Sequence, residues 1–175
     1  MSNGLVVFYT LTGTCRRVTE LLCIQQGWSR GEVQEIVPRD SGLRGSLRCI
    51  ADSWGRRRPD VRYIGPDPRE FDIVVLVAPV WLQRLAGPMR SFVARWRDQL
   101  PRVAVISVMN GRGAPDAVAE IGRLLERAPE LSASFASREV DEGACAARLQ
   151  AFGDALGVPE GARPVRPATL SPAAA

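Results

Sequence analysis

The sequence contains no histidine and no lysine, and all 23 of its basic residues are arginine. Without histidine, the chain cannot form a Ser-His-Asp or Cys-His nucleophilic site. Without lysine, it can be neither a Walker-type nucleotide hydrolase nor an enzyme that forms a Schiff base through a lysine side chain. Demanding chemistry would therefore have to come from a bound cofactor.

Cysteine is scarce and widely spaced. The four thiols, Cys15, Cys23, Cys49 and Cys145, include no Cys-x-x-Cys pair, so neither a zinc site nor a disulfide framework is predicted. We interpret them as reduced thiols of a cytoplasmic protein. The N-terminus lacks the pattern of a signal peptide, and no apolar run reaches the ~20 residues that span a bilayer. We therefore expect no membrane association.

Charge is nearly balanced, with 19 acidic residues and a net charge of +4. Such a balance argues against a nucleic-acid partner, which requires a concentrated basic face. The one sharp basic cluster covers residues 56–58. We interpret it as a solvated helix end, with a docking patch for an acidic partner as the alternative.

Strand-like apolar runs alternate with helical periodicity along the chain. Continuous runs at 5–9, 73–77 and 103–108 are typical of central parallel strands, residues 33–37 suit an edge strand, and a weak fifth strand falls within 132–140. Helices are predicted from Arg16 onward and over 43–54, 88–96, 116–127 and 144–156. This pattern predicts an α/β domain over residues 1–157. The proline-rich tail, residues 158–175, is expected to be mostly extended or disordered.

Three loops follow predicted strands and would meet at one edge of a parallel sheet, where ligands bind in such folds. The first, residues 10–15, offers three threonine hydroxyls and a glycine just before a helix, a pattern that favours a phosphate or another anion. The second covers residues 78–87 and contains Trp81, and the third covers residues 109–113 and contains Arg112.

The first two loops carry a family resemblance. Thr10-Leu11-Thr12-Gly13-Thr14-Cys15 is similar to the Thr/Ser-x-Thr-Gly-x-Thr loop with which the flavodoxin family binds the phosphate of FMN. Ala78-Pro79-Val80-Trp81-Leu82-Gln83-Arg84 resembles the Thr-Pro-Val-Trp-x-Gly-Arg segment common among flavodoxin-like proteins. The resemblance covers about residues 5–156. It implies a three-layer, doubly wound, five-stranded parallel sheet with strand order 2-1-3-4-5.

The resemblance also implies a set of FMN-binding residues, with no catalytic residue and no metal ligand among them. The first loop would bind the phosphate, Trp81 would stack on the flavin ring, and the second and third loops would hydrogen-bond the ring edge. The full set is Thr10, Leu11, Thr12, Gly13, Thr14, Cys15, Pro79, Val80, Trp81, Leu82, Gln83, Arg84, Asn110, Gly111, Arg112 and Gly113.

Three positions depart from the family pattern, namely Ala78, which replaces a threonine, Cys15 and Gln83. Cys15 replaces the last threonine of the phosphate loop, and a thiol is the poorer hydrogen-bond donor, so we expect this contact to weaken or to pass to backbone amides. Gln83 stands where the family often has a glycine beside the reactive flavin nitrogen, at a peptide that rotates on reduction.

Three functions remain open. The resemblance favours an electron carrier that uses FMN between redox partners, and whether the protein is an enzyme is undecided. An NAD(P)H-dependent FMN reductase of quinones or similar small acceptors is the alternative, because the third loop has no aromatic residue and would leave one ring face open. A flavodoxin-like module with an empty flavin site is the third. A receiver domain is excluded by the absence of lysine, and a low-molecular-weight phosphatase by the absence of Cys-x5-Arg.

Overall fold

The computed structural model describes residues 3–36 and 58–157, together with the backbone of residues 169–170. The strands are β1 (Gly4–Phe8), β2 (Ser29–Glu35), β3 (Val61–Ile64), β4 (Ile73–Trp81), β5 (Arg84–Leu85), β6 (Arg102–Met109), β7 (Leu131–Ala136) and β8 (Thr169–Leu170). The helices are α1 (Thr14–Gln26), α2 (Gly87–Trp96), α3 (Ala114–Leu125), α4 (Ser137–Asp141) and α5 (Ala146–Gly157), with a 3₁₀ turn at Pro68–Glu70.

The centre of the sheet consists of five parallel strands in the order β2-β1-β4-β6-β7. Numbered among themselves, these strands have the order 2-1-3-4-5, so the predicted topology is confirmed. The complete sheet path is longer than predicted, because β3 pairs antiparallel with β2 and β8 pairs parallel with β7. The chain order reverses at β1, so the loops after β1 and β4 diverge there and leave room for a ligand.

Several predicted element boundaries were wrong. The strand expected at 33–37 begins at Ser29 and is not an edge, because β3 covers it. The four residues of β3 gave too short a pattern to predict. The second loop was expected from Ala78 onward, yet β4 continues to Trp81. Pro79 is compatible with this extension because β1 ends at Phe8, so Pro79 pairs with a strand on one side only.

The helix predictions agree with the structure to within a few residues, where they can be compared. The helix expected over 43–54, and residues 56 and 57 of the basic cluster, lie outside the described residues. The tail was expected to be mostly extended or disordered, and the two residues of it that the structure describes, Thr169–Leu170, form a short strand beside β7. A strand of two residues is too short to produce a periodic pattern in the sequence.

The sheet is buried on both faces, which explains the continuous apolar runs. Side chains alternate along β1: Leu5 and Val7 belong to the apolar cluster that includes residues of α2 and α3, whereas Val6 and Phe8 belong to the cluster that includes residues of α1 and α5. Burying each such aliphatic side chain stabilises the folded state by about 1.5–3 kcal/mol relative to leaving it in water. Two such layers make the sheet a rigid support for the loops at its carboxyl edge.

Candidate functional site

A concave site lies at the carboxyl edge of the parallel strands. Its volume is about 490 Å³, within the range of small-molecule sites. Its walls come from the loops after β1, β4 and β6 and from the first residue of α4. The lining residues are Thr10, Leu11, Thr12, Thr14, Cys15, Pro79, Val80, Trp81, Leu82, Gln83, Val108, Met109, Asn110, Gly111, Arg112 and Ser137.

The first loop leaves backbone donors at the start of α1. The Gly13 N–H donates to Thr10 Oγ1 at 2.9 Å, which closes the loop on itself. Gly13 is the N-cap residue with φ 90°, and the first intrahelical bond runs from the Arg17 N–H to the Gly13 carbonyl. The N–H groups of Thr14, Cys15 and Arg16 therefore precede the hydrogen-bonded part of the helix, where the helix dipole favours an anion.

Two threonine hydroxyls lie beside these amides. Thr12 Oγ1 and Thr14 Oγ1 are 3.3 Å apart, with Thr12 exposed and Thr14 buried. Hydroxyls can donate to a phosphate oxygen, as backbone amides do. The loop thus offers a set of neutral donors suited to an anion without any ammonium group.

The Cys15 side chain belongs to the core rather than to this donor set. Only 2% of the residue is exposed, and it packs in the same apolar cluster as Val18 and Leu22. Burial raises the pKa of the Cys15 thiol far above its ordinary value, so the sulfur stays neutral beside an anion. The residue can therefore serve a ligand through its backbone N–H.

The second loop is a tight hairpin between β4 and β5. Trp81 pairs with Arg84, and the two residues between them, Leu82 and Gln83, have φ 47° and 63°. Positive φ at both central positions is the pattern of a type I′ turn, which normally selects asparagine and glycine. The ring of Trp81, half-buried, meets the edge of Tyr9 at a centroid distance of 6.2 Å and an angle of 87°. This contact and the strand pairing fix an aromatic wall of the cleft.

The third loop contacts the hairpin where Gly113 lies against Gln83. A Cβ atom on Gly113 would lie 2.3 Å from the Cα atom of Gln83, so only glycine allows this approach. Gly113 is also the N-cap of α3 and has φ 115°. Asn110, Gly111 and Arg112 lie between this contact and β6 and line the cleft.

Thirteen of the sixteen residues predicted for the site line one cleft. Of the other three, Gly13 caps α1, Arg84 lies on the returning strand of the hairpin, and Gly113 supports Gln83. The predicted set omitted three lining residues, Val108, Met109 and Ser137, of which only Met109 belonged to a predicted loop. Ser137 is the first residue of α4 and follows β7 directly, so the weak signal of that strand concealed a fourth segment at the same edge.

The lining of the cleft carries a single charge, which is positive. Arg112 is the only charged residue among those that line it, and it is exposed. No carboxylate of the described residues lines the cleft, so none repels an anion there.

Within residues 3–36 and 58–157, the helices are too short or too polar to span a bilayer.

Comparisons with known proteins place the fold. The chain matches no protein-family model, and no curated protein sequence matches it. Among solved structures, it is similar to a flavoprotein from Lactobacillus acidophilus NCFM in complex with FMN, with 17% identity, 81% of this chain and 98% of the other covered, and a TM-score of 0.65. It is also similar to a candidate flavoprotein from Bacteroides eggerthii DSM 20697, with 16% identity, 91% of this chain and 100% of the other covered, and a TM-score of 0.72. A flavodoxin from Streptococcus pneumoniae TIGR4 has 13% identity, with 90% of this chain and 100% of the other covered, and a TM-score of 0.53.

The chain has a flavodoxin-like fold. These likenesses extend over most of each protein at low identity, so they concern the backbone architecture. In a flavodoxin-like fold, the ligand site is expected beyond the carboxyl ends of the strands, where strand order reverses. The cleft occupies this place, because its walls come from the loops after β1 and β4.

Proposed function

We propose that this protein binds FMN in the cleft and transfers electrons between redox partners. The observation that carries the proposal is the convergence of the phosphate-type loop and an aromatic wall on one cleft at the strand-order reversal. The FMN complex of the similar Lactobacillus acidophilus flavoprotein supports the choice of cofactor.

The residues present fit the chemistry of FMN. The amides of Thr14 and Cys15 and the hydroxyls of Thr12 and Thr14 would hold the phosphate. No lining carboxylate opposes that charge, and the cleft has sufficient volume for a small-molecule ligand. The other predicted site residues that line the cleft would contact the rest of the molecule.

At the ring end, the chain supplies a flat apolar surface and backbone polar groups. Trp81 would stack against the ring, held in orientation by Tyr9. The hairpin turn at Leu82 and Gln83 and the loop from Asn110 to Arg112 would position the ring edge. When bound, FMN supplies the electron chemistry, and these residues bind it, orient it and restrict its contact with water.

An FMN-dependent reductase of small acceptors is the second candidate. Trp81 is the only aromatic residue among those lining the cleft, and Asn110, Gly111 and Arg112 on the third loop are exposed. A ring face opposite Trp81 would thus be open to a small molecule. This observation supports direct reaction with NAD(P)H and a quinone-like acceptor.

Titration of the purified protein with FMN tests the proposal. We expect saturable quenching of flavin fluorescence and a perturbed absorbance spectrum. Thr12→Ala should weaken binding by about tenfold, the loss of roughly one hydrogen bond to a charged group. Gly13→Val should weaken it further, because φ 90° is strained for valine. Ser29→Ala removes an exposed hydroxyl at the opposite end of the sheet and should leave affinity unchanged.

The outcomes separate the candidates. Absence of saturable binding would contradict the FMN proposal and favour a flavodoxin-like module without flavin. Anaerobic bleaching by NADPH alone would favour the reductase. Bleaching that requires a reductase protein would favour the carrier.

A further inference from the structure

Two charged side chains are buried together between α2 and α3, outside the lining of the cleft. Arg90 is 2% exposed and Glu120 is 7% exposed, and the distance from Arg90 Nε to Glu120 Oε1 is 2.5 Å. A buried ion pair is weak evidence for stability, because desolvation offsets much of the attraction. Its location therefore calls for an explanation other than core stability.

Both side chains contact the backbone of one residue of the cleft hairpin. Arg90 Nη2 donates to the Leu85 carbonyl oxygen at 2.9 Å, and the Leu85 N–H donates to Glu120 Oε2 at 3.4 Å. Leu85 is the last residue of β5, a two-residue strand that pairs with β4. The ion pair thus binds both backbone polar groups of Leu85, on the strand that returns from the hairpin tip.

The tip itself has an unfavourable backbone conformation. Leu82 and Gln83 both have positive φ, although neither is glycine or asparagine. Such a strained conformation persists only where contacts with the surrounding structure hold it in place. On one side Gly113 meets Gln83, and on the other Leu85 is fixed by Arg90 and Glu120.

We propose that Arg90 and Glu120 are a positioning pair for the cleft. They hold Leu85, and through Leu85 they hold Trp81, Leu82 and Gln83 in the conformation that receives the ring end of a flavin. Neither residue lines the cleft, so they act through the hairpin rather than by contact with a ligand. The flavin part of this inference rests on the proposed function, whereas the conformational part does not.

A double variant removes the ion pair without leaving one charge unpaired in the core. Arg90→Met combined with Glu120→Leu fills the same space without charge, and such replacements of buried ion pairs are often neutral or stabilising. The variant lacks both contacts to Leu85. Arg90→Lys is a second variant, which keeps the charge but replaces the forked guanidinium with a single ammonium.

Amide hydrogen exchange measured without any flavin is the first readout. We expect the amides of residues 82–86 to exchange at least about tenfold faster in the double variant, and those of β6 to change less. Arg90→Lys should give an intermediate increase at the same amides. The matched control is Arg102→Met with Glu130→Leu, which removes a bidentate pair at the opposite, amino end of the strands. It should leave residues 82–86 as in the wild type.

FMN affinity is the second readout. The double variant should bind FMN about tenfold more weakly. Its midpoint of urea unfolding should fall, because the buried N–H and carbonyl of Leu85 lose their partners, but its circular dichroism in buffer should match that of the wild type. Wild-type exchange at residues 82–86 in whichever of the two variants folds, or an equal increase throughout the sheet, would overturn the inference. If the wild type bound no FMN but the hairpin amides responded as expected, the proposed function would fail and the positioning role would stand.

Discussion

The backbone of Gln83 lies against Gly113, so that a Cβ atom on residue 113 would stand 2.3 Å from the Cα atom of residue 83. The second and third loops of the cleft are joined at this contact. Because a distance below 3.0 Å forces something to shift, any side chain at position 113 must separate the two loops. The width of the ring end of the cleft therefore depends on this glycine.

Gly113→Ala should weaken FMN binding by about tenfold or more, since the substitution moves the hairpin tip and also places alanine at φ 115°. It should lower the free energy of unfolding by about 1–3 kcal/mol, the usual cost of overpacking or of a strained backbone. Fluorescence titration and urea unfolding measure the two effects.

Gly27→Ala is the matched control. It also places alanine at a positive φ, 68°, but at the end of α1 and outside the cleft lining, where a Cβ atom would meet nothing within 4 Å. Affinity should therefore stay within about twofold of the wild type, although the strained backbone lowers stability. Equal binding by the Gly113 and Gly27 variants would contradict the role assigned to the contact.

The hairpin turn should become more stable when its residues suit its geometry. Leu82→Asn with Gln83→Gly places the preferred type I′ residues at φ 47° and 63° and should raise the free energy of unfolding by roughly 1–2 kcal/mol. Glu126→Gly is a control at φ 56°, at the end of α3 and outside the cleft lining. It should stabilise the protein without changing FMN affinity. A destabilised turn variant would show that the surrounding contacts select leucine and glutamine.

The sequence predicted the parallel core and most of the cleft because these depend on local patterns. Buried strands require continuous apolar residues, as in Val103 to Val108, and the hydroxyl-rich loop precedes a helix. The order of the five parallel strands followed from the family resemblance, and the structure confirms it.

Other features depend on contacts between distant segments and leave little local signal. Glutamine by itself does not indicate a positive φ, and only the family's glycine at the position of Gln83 pointed to one. The conformation arises from the hairpin and from Gly113, thirty positions later. Arg90 and Glu120 belong to different helices, and only their unexpected charge on buried faces could have indicated a pair. The strand β8 has two residues and depends on β7 for its conformation.

Cys15→Ala should separate the thiol from the backbone at this position. Because the side chain packs in the core, we expect a loss of about 1 kcal/mol or more of unfolding free energy from the cavity. FMN affinity should change by less than about threefold if the N–H group makes the contact, since alanine retains it. A tenfold loss of affinity with unchanged stability would contradict this assignment and indicate a direct contact from sulfur.

Stability should fall in alkaline solution. Burial raises the pKa of the Cys15 and Cys145 thiols, raises that of Cys23 to about 11, and raises that of the Tyr63 hydroxyl. A group whose pKa is higher in the folded state contributes its full stability below its unfolded value and loses it as the pH rises. With thiols at 9.0 when unperturbed, the midpoint of urea unfolding should be level near neutrality and decrease above pH 9.

Cys15 should account for much of this decrease, because its thiol packs among apolar side chains and burial alone raises its pKa, whereas nearby charged groups also act on Cys23 and Cys145. One such group costs up to about 1.4 kcal/mol for each pH unit above its unfolded pKa. Cys15→Ala should therefore flatten the alkaline part of the stability curve. Cys23→Ala should flatten it less, because solvent screens the partly exposed Cys23 thiol. Equal slopes in the wild type and in the Cys15 variant would show that other groups govern the alkaline transition.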